Sequence, residues 1–441
     1  MCLPNMFLIG ALSMVFASAI NAQKTTSLTE LEKQRVIDSF SKVLNRNYVY
    51  SDKALLMSQF IQQKHQNKGY KNMNDPKQWA HQITKDIRAI EQDHHLSVRF
   101  DPDLEASIRI FEATLEKETT DFGKEKSQNF FFRKAEILKG NIGYINFTNF
   151  ADTNYLSRKT VQAAFQFVAN AEALILDLRN NFGGRPEMEK EIAGYFFNEP
   201  QQTGRTYNRI LDTWTEEWVV DQLKHSEGLY LTMPLYILTS KRTFSAAEGF
   251  AYNLKYLKNA ILVGDTTRGA AHTTRSFALG NGFVGFIPFT RFEHIITKTD
   301  WERIGVVPSI SISEELSLYK AQELILKNKL LSISDTTEQL KVQWLLNDLY
   351  SRMRKINVPN ETLKQYTGVF EEFLFTLEEG KLFCRNTHQQ DKKDMLVAIN
   401  DHVFKIDEQS HVEFVTDKQG MVTSIRLLWD DGWVDTVQKS K

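Results

Sequence analysis

The segment LTSKRTFSAAEGFAYNLKYLK, Leu238–Lys258, decides the fold because it takes the chain from a buried strand directly into a helix. The strand is the apolar run PLYILTS, Pro234–Ser240, which is typical of a strand covered on both faces. The helix follows at Ala246–Leu257, where apolar residues repeat at helical spacing. A strand that leads into a helix indicates α/β organisation, and it leaves Ser245 at the helix start.

Ser245 has two interpretations at this position. With Glu248 it matches a capping box, in which a hydroxyl and a carboxylate satisfy free N–H groups at the start of a helix. A serine between an apolar strand and a helix is also where many hydrolases hold a nucleophile, because the helix dipole favours negative charge there. The segment alone favours the capping box.

A second strand-to-helix segment, ALILDLRNNFGGRPE at 173–187, lies upstream. Its apolar strand ends at Leu178, and Gly183 and Gly184 follow before Pro186 opens a helix. Paired glycines let backbone N–H groups converge on one point, which can hold an anion or an oxyanion. A tight turn is the plain alternative. Nucleotide binding is disfavoured because the segment lacks both the GxGxxG pattern and the Walker lysine.

The N-terminal region, from Ser27 to about Gln92, is predicted to be a small helical bundle. Ser27 and Glu30 match a capping box for its first helix, and a later helix begins at Asp75. That later helix carries apolar residues on one face: Trp79, Ile83, Ile87 and Ile90.

Strands alternate with helices from about Phe130, which again predicts an α/β core. The stretch at 130–150 predicts two strands about a Lys-Gly-Asn turn, and Asn281-Gly282 is a hairpin signal. Residues 336–358 are helical and polar. Beyond Thr362, alternation interrupted by turns predicts a small antiparallel β domain without a catalytic constellation.

Composition narrows the classes of partner and compartment. The 54 basic and 55 acidic residues nearly cancel, so no charge excess indicates nucleic acid.

The apolar run Met6–Ile20 predicts a signal peptide over 1–22, and hence an exported, periplasmic or extracellular chain without a membrane span after cleavage. A retained membrane anchor is the alternative, because the preceding MCLPN lacks Lys and Arg. Cleavage would leave Cys384 as the single cysteine and allow no internal disulfide.

Four motifs in order resemble one family: LDLRNNFGG, TFSAAEGFAYNLK, LVGDTTRGAAH and WERIGVVPS. They look like those of the tail-specific protease family of serine peptidases, the C-terminal processing peptidases, and the resemblance covers roughly Phe40–Ile325. It implies an α/β fold with a Clp protease/crotonase-like catalytic core, to which the patterns above add an N-terminal helical domain and a small C-terminal antiparallel β domain. The predicted segments are a signal peptide (1–22), an N-terminal helical domain (23–120), the serine peptidase core (121–335), a helical linker (336–360) and a small β domain of unknown role (361–441).

By this resemblance Ser245 is the nucleophile. One branch of the family activates its serine with a lysine in a TxGKG-like motif, but TTRGAA has Ala270 at that position, so the Ser–Lys dyad is missing. Arg268 cannot replace the lysine because its guanidinium stays protonated.

The other branch resembles the tricorn protease core and the interphotoreceptor retinoid-binding protein modules, and it takes its base from a DGH motif. In DHHLSV, His95 fits that histidine, and Glu302 in TDWERIGVV fits the acid that orients it. A histidine can accept the hydroxyl proton and return it to the leaving amine. His94 stands where the family has glycine, and His94 and His272 are further candidate bases.

The resemblance also implies an oxyanion hole built from backbone N–H groups of Gly183 or Gly184 and of Ala246. We therefore expect an exported serine peptidase that hydrolyses peptide or protein substrates through an acyl-enzyme on Ser245, without a cofactor or metal. The alternative is a non-catalytic binding module that uses the same cleft for an apolar ligand or a peptide terminus. Six aromatic residues could line such a cleft: Phe130, Phe131, Phe132, Phe283, Phe286 and Phe289.

Overall fold

The computed structural model of the chain describes residues 27–114, 122–219, 228–388 and 392–440. The expected signal peptide, 1–22, lies outside these ranges and stays a prediction. Across the described ranges, no helix has both the length and the apolar character needed to cross a membrane. Cys384 is a buried free thiol.

The N-terminal region begins with α1 (Glu30–Asn47), α2 (Ser51–Gln66) and α3 (Pro76–Ile90). The capping box predicted at Ser27 and Glu30 is wrong by two residues, because Glu30 is already the first residue of α1. Thr29 is the cap. Its hydroxyl accepts the N–H of Glu32 at 3.2 Å, and the Glu32 carboxylate accepts the N–H of Thr29 at 2.8 Å.

The helix predicted from Asp75 is confirmed, since the Asp75 carboxylate caps α3 by accepting the N–H of Gln78 at 2.8 Å. Trp79, Ile83 and Ile87 are buried on its inner face. The region then continues through β1 (Ser97–Phe100), α4 (Pro102–Thr114) and α5 (Phe122–Ser127).

The core confirms the predicted α/β organisation. Its elements are β2 (Phe132–Leu138), β3 (Ile142–Phe147), α6 (Tyr155–Phe167), β4 (Ala173–Asp177), α7 (Pro186–Gly194), β5 (Gln201–Asn208), β6 (Thr213–Val219), β7 (Leu235–Thr239), α8 (Ala246–Leu257), β8 (Ile261–Gly264), β9 (Thr274–Gly280), β10 (Phe283–Pro288), β11 (Thr290–His294), β12 (Ile310–Ser311), α9 (Glu314–Ser332) and α10 (Thr336–Met353). One sheet has the order β12-β8-β7-β4-β3-β2, in which β2 is antiparallel to β3 and the other neighbours are parallel.

This sheet is covered on both faces, as its continuous apolar strands predict. In β4, Leu174 and Leu176 pack with α6, α7 and α8, whereas Ala173 and Ile175 pack with α9 and α10. The segment predicted to be a helical linker, 336–360, begins with α10. The apolar face of α10 covers the sheet, so this helix packs as part of the core. The parallel strands β4 and β7 lie at the centre, and the chain leaves each of them towards a helix.

Two smaller sheets flank the core, β1-β10-β9 and β11-β5-β6. The predicted hairpin is confirmed, because Asn281 and Gly282 join β9 to β10 with φ of 55° and 82°. Strand β1 pairs with β10, Ser97 opposite Phe286. This pairing brings the segment just before β1 against the core.

The C-terminal part contains α11 (Asn360–Gln365), β13 (Gly368–Phe370), β14 (Phe373–Glu378), β15 (Lys381–Asn386), β16 (Asp394–Met395), β17 (Val397–Ala398), β18 (Val403–Lys405), β19 (Ser410–Thr416), β20 (Val422–Trp429) and β21 (Val434–Gln438). The strands form two antiparallel sheets, β13 to β16 and β17 to β21. The predicted turns at 379–380 and 419–420 join β14 to β15 and β19 to β20. Trp344 of α10 stacks on His411 with ring centroids 4.5 Å apart, which connects this part to the core.

Candidate active site

Ser245 lies at a sharp turn between β7 and α8. Its backbone has φ 54° and ψ −122°, which non-glycine residues rarely adopt and which costs on the order of 1–3 kcal/mol. Neighbouring bonds hold the turn: the Thr243 hydroxyl donates to the Leu178 carbonyl at 2.8 Å, and the Phe244 N–H donates to the Asn181 carbonyl at 3.1 Å. The half-buried Ser245 side chain lines the adjoining cleft.

Glu248 is fully buried beneath this turn and holds it from below. Its carboxylate accepts hydrogen bonds from the Ser245 N–H at 2.8 Å, the Thr267 hydroxyl at 2.5 Å, and the N–H groups of Gly269 and Ala270 at 2.6 and 3.0 Å. Burial raises the pKa of this carboxyl to about 7, although the hydrogen bonds oppose the rise.

The two interpretations of Ser245 are therefore compatible. Ser245 does start a helix, as the capping box predicts, and Glu248 supplies the carboxylate half of that box. The Glu248 carboxylate accepts the backbone N–H of Ser245 and not its hydroxyl proton. A helix cap and a reactive hydroxyl can share this residue.

The glycine corner of the second strand-to-helix segment lies directly against Ser245. Gly183 has φ 88°, and a Cβ there would be 2.9 Å from both the Ser245 Cβ and the Ala246 nitrogen. The Gly183 N–H already donates to Asn181 Oδ1 at 2.9 Å. The N–H groups of Gly184 and Ala246 have no hydrogen-bond partner in the described part of the chain, so these two are available to an oxyanion.

The segment that carries His95 joins α3 to β1 and is held by hydrogen bonds to the side chains of Asp93 and Arg88. Asp93 Oδ1 accepts the backbone N–H of His95 at 2.9 Å. From α3, the Arg88 guanidinium donates to the carbonyl oxygens of His94 at 2.6 Å and of Leu96 at 2.8 Å. These bonds give His95 a defined backbone position.

The His95 ring packs beside the serine turn. Its centroid is 5.0 Å from the ring of Phe244, the residue before Ser245, and both His95 and Ser245 line the same cleft. Its Nδ1 is buried without a hydrogen-bond partner among the described residues. Burial, together with the charge of His272, lowers the pKa of His95 to about 4.

A second imidazole, His272, lies in the same cleft between two carboxylates. Its Nδ1 is 2.9 Å from Asp93 Oδ2 and 3.7 Å from Glu302 Oε2. The Tyr48 hydroxyl of the N-terminal bundle donates to Asp93 Oδ2 at 3.1 Å, and the Ala271 N–H donates to Glu302 Oε2 at 2.6 Å. The cluster thus joins the helical bundle to the core.

The pKa of His272 is shifted in the opposite direction from that of His95. Burial alone would lower the pKa of His272, but the hydrogen bond to Asp93 and the charges of Asp93 and Glu302 raise it. Burial raises the pKa of Glu302 to about 7, against the charge of His272. One ligand atom from each of Asp93, His272 and Glu302 lies within 4.8 Å of the other two, so the three side chains could also hold a divalent cation.

The structure brings most of the predicted residues to one cleft of about 740 Å³, which Ser245, His95, Gly184 and Ala246 line together. Glu302 does not bond to His95 among the described contacts. Its imidazole neighbour is His272, so its predicted orienting role is not a direct one in this arrangement.

The sequence interpretation missed two residues as parts of the site. In the sequence, Asp93 is the first residue of DHHLSV, and no local pattern assigns it a role. Glu248 is predicted only to be part of a helix cap. Of the aromatic residues expected at the cleft, Phe289 lines it. Phe130 and Phe132 instead line a separate surface cavity, and Phe283 is buried against the N-terminal bundle.

Comparison with known proteins gives one consistent result. Residues 141–312 match Peptidase family S41, and residues 21–122 match the N-terminal domain of Peptidase_S41 in eukaryotic IRBP. The carboxyl-terminal-processing peptidase 2, chloroplastic, of Arabidopsis thaliana is 30% identical over 173 residues, covering 38% of this chain and 31% of that protein. The carboxy-terminal processing protease CtpB of Bacillus subtilis is 24% identical over 241 residues, covering 52% and 48%.

The chain thus spans between about a third and a half of the length of these curated relatives. Among solved structures, the photosystem II D1 C-terminal processing protease is similar with a TM-score of 0.42 and 16% identity, covering 66% of this chain and 94% of that chain.

We expect Gly183→Ala to destabilise the protein more than a glycine substitution with the same backbone strain elsewhere. Its Cβ would press on Ser245 and Ala246 at 2.9 Å. Gly228 has φ 84°, and no atom of another described residue lies within 4 Å of its would-be Cβ, so Gly228→Ala carries the backbone strain alone. Thermal unfolding should show an extra loss of about 1–3 kcal/mol for Gly183→Ala. Equal losses would contradict the tight contact at the turn.

Proposed function

The chain belongs to peptidase family S41, and from this premise we propose that it is a serine peptidase that hydrolyses peptide bonds through an acyl-enzyme on Ser245. The observation that carries the proposal is the turn at Ser245. Its strained backbone directs the hydroxyl from a helix N-terminus into a cleft that also contains an uncharged imidazole. A serine that only capped a helix would need none of these features.

We assign the role of general base to His95. A serine hydroxyl is unreactive at neutral pH until a base accepts its proton. Burial keeps the His95 ring neutral near pH 7, so one ring nitrogen has a lone pair for that proton. His272 suits this role less, because Asp93 and Glu302 hold it towards the imidazolium, which has no lone pair to offer.

Asp93 and Glu302 act as positioning residues in this proposal. Asp93 fixes His95 through the backbone N–H and fixes His272 through its ring, so one carboxylate sets the positions of both imidazoles. Glu302 approaches His272 from another side, and its charge, like that of Asp93, raises the pKa of His272. Glu302 would then influence His95 only through His272.

The tetrahedral intermediate needs donors aimed at its oxyanion. The N–H groups of Gly184 and Ala246 are proposed for this role, because both line the cleft and neither has another partner among the described residues. One such donor typically contributes on the order of 10²–10³ in rate. Gly183 is proposed to shape the turn, since its own N–H is occupied by Asn181.

We expect a fluorophosphonate probe to label the wild-type protein and not Ser245→Ala, since the probe reacts with an activated serine. Ser313→Ala is a matched control, because Ser313 also precedes a helix, α9, without making a side-chain cap bond. Labelling is measured by intact-protein mass spectrometry. Labelling that persists in Ser245→Ala would remove this serine from the mechanism, and peptide binding without turnover would support the binding-module alternative.

The pH dependence of kcat/KM should identify the base. Protonation of the base abolishes activity, so activity falls as pH drops through the pKa of that residue in the folded protein. With His95 as base, the acid limb should lie at about pH 4, well below the usual value. An acid limb above about 6.5, the ordinary histidine value, would instead indicate His272, whose pKa is raised. Tryptophan fluorescence at each pH checks that the protein stays folded.

A further inference from the structure

One end of the cleft contains acidic side chains that have no role in the proposed hydrolysis. Its charged lining residues are Arg185, Glu187, Glu189, Lys190 and Glu217. Both cations already have partners, since Lys190 is 2.5 Å from Glu217 and Arg185 is 2.7 Å from Asp152. Glu187 and Glu189 have no ion-pair partner within the described ranges. This end of the cleft therefore has unbalanced negative charge.

Glu189 is the buried member of this group. Its side chain belongs to α7, only 7% of the residue is exposed, and its Oε1 has no hydrogen-bond partner among the described residues. Asn253 of α8 also lines the cleft, and its buried Oδ1 likewise has no hydrogen-bond partner among the described residues. Both orphaned atoms are acceptors. Because buried acceptors normally have a donor, the pair lacks a group that donates hydrogen bonds.

The pKa of Glu189 is consistent with a missing cation. Burial raises it to about 7, against the charge of Lys190. A positive charge placed beside the carboxyl would favour its ionised form and offset the cost of burial.

The position of Asn253 links this acidic end to the reaction centre. Gly249 and Asn253 lie four residues apart on one face of α8, which begins directly after Ser245, and all three residues line the cleft. Along the helix axis, Asn253 lies about 10 Å from Ala246, the residue after Ser245. Gly249 packs against Trp301, where a Cβ would be 3.0 Å from the indole, so no side chain of α8 intervenes. A long substrate side chain can follow this face from Ser245 towards Glu189.

We propose that Glu189 and Asn253 form a specificity subsite for a basic side chain, lysine or arginine, of the peptide substrate. An ammonium or guanidinium group donates hydrogen bonds to both orphaned oxygens and balances the negative charge. This subsite rests on the proposed peptidase function and names the substrate class of the same cleft. Peptides with a glutamate at the position that enters the subsite are excluded by like charge.

The test compares peptides that differ only by lysine, arginine, norleucine or glutamate at each position around the cleaved bond. Wild-type protein should cleave the best basic peptide on the order of 10- to 100-fold faster, in kcat/KM, than its norleucine counterpart. Glu189→Gln should reduce this ratio at least about tenfold, because the amide keeps the shape and loses the charge. The control variant is Glu199→Gln, which changes an exposed carboxylate after α7. It should keep the wild-type ratio.

A second variant tests the same subsite in the opposite direction. Asn253→Asp adds a negative charge and should raise the preference for lysine over norleucine. A wild-type ratio near one would overturn the subsite. So would a ratio that Glu189→Gln leaves unchanged, or one that Asn253→Asp lowers.

Binding to Ser245→Ala separates the two proposals, because it needs no hydrolysis. Fluorescence anisotropy should show tighter binding of the lysine peptide than of the norleucine peptide, and adding Glu189→Gln should remove the difference. If these binding differences appear but the wild type cleaves no peptide, the subsite stands and the peptidase proposal fails. If the wild type cleaves peptides without a basic preference, the subsite fails and the peptidase proposal stands.

Discussion

The buried carboxylate of Glu248 is the constraint on which the rest of the site depends. It accepts four hydrogen bonds, one from the strained turn at Ser245 and three from the loop at 267–270. A non-glycine residue keeps φ 54° only where its surroundings determine it, and these bonds do so. The same loop leads directly to His272. One acidic side chain therefore sets the serine turn and the loop of the second imidazole in fixed relation.

A second carboxylate, Asp93, connects the site to the N-terminal helices. Its two oxygens contact the hydroxyl of Tyr48, the residue directly after α1, the His95 backbone and the His272 ring. The bundle is thus more than a neighbouring domain. Through β1 and Asp93 it places His95 in the cleft and contacts His272, so this group of side chains is complete only when bundle and core are packed together.

The sequence predicted the local features of this site and missed the distant ones. The start of α8 at Ser245 and the glycine corner follow from an apolar run, a helical period and paired glycines, all of which lie within short segments. The contact between Asp93 and His272 joins residues 179 positions apart, and no local pattern encodes it. The family resemblance assigned Glu302 to His95, whereas in the fold Glu302 lies beside His272. The prediction of the first helix cap failed for a different reason. Ser27 and Glu30 match the capping motif two residues before Thr29, which is the actual cap.

The most direct measurement is the distance between Ser245 Oγ and the nearest imidazole nitrogen in a high-resolution crystal structure. The proposed mechanism predicts a nitrogen of His95 at about 3 Å, or somewhat farther without substrate. A Ser245 hydroxyl that is sealed from the cleft, or that no imidazole nitrogen can approach, would contradict it.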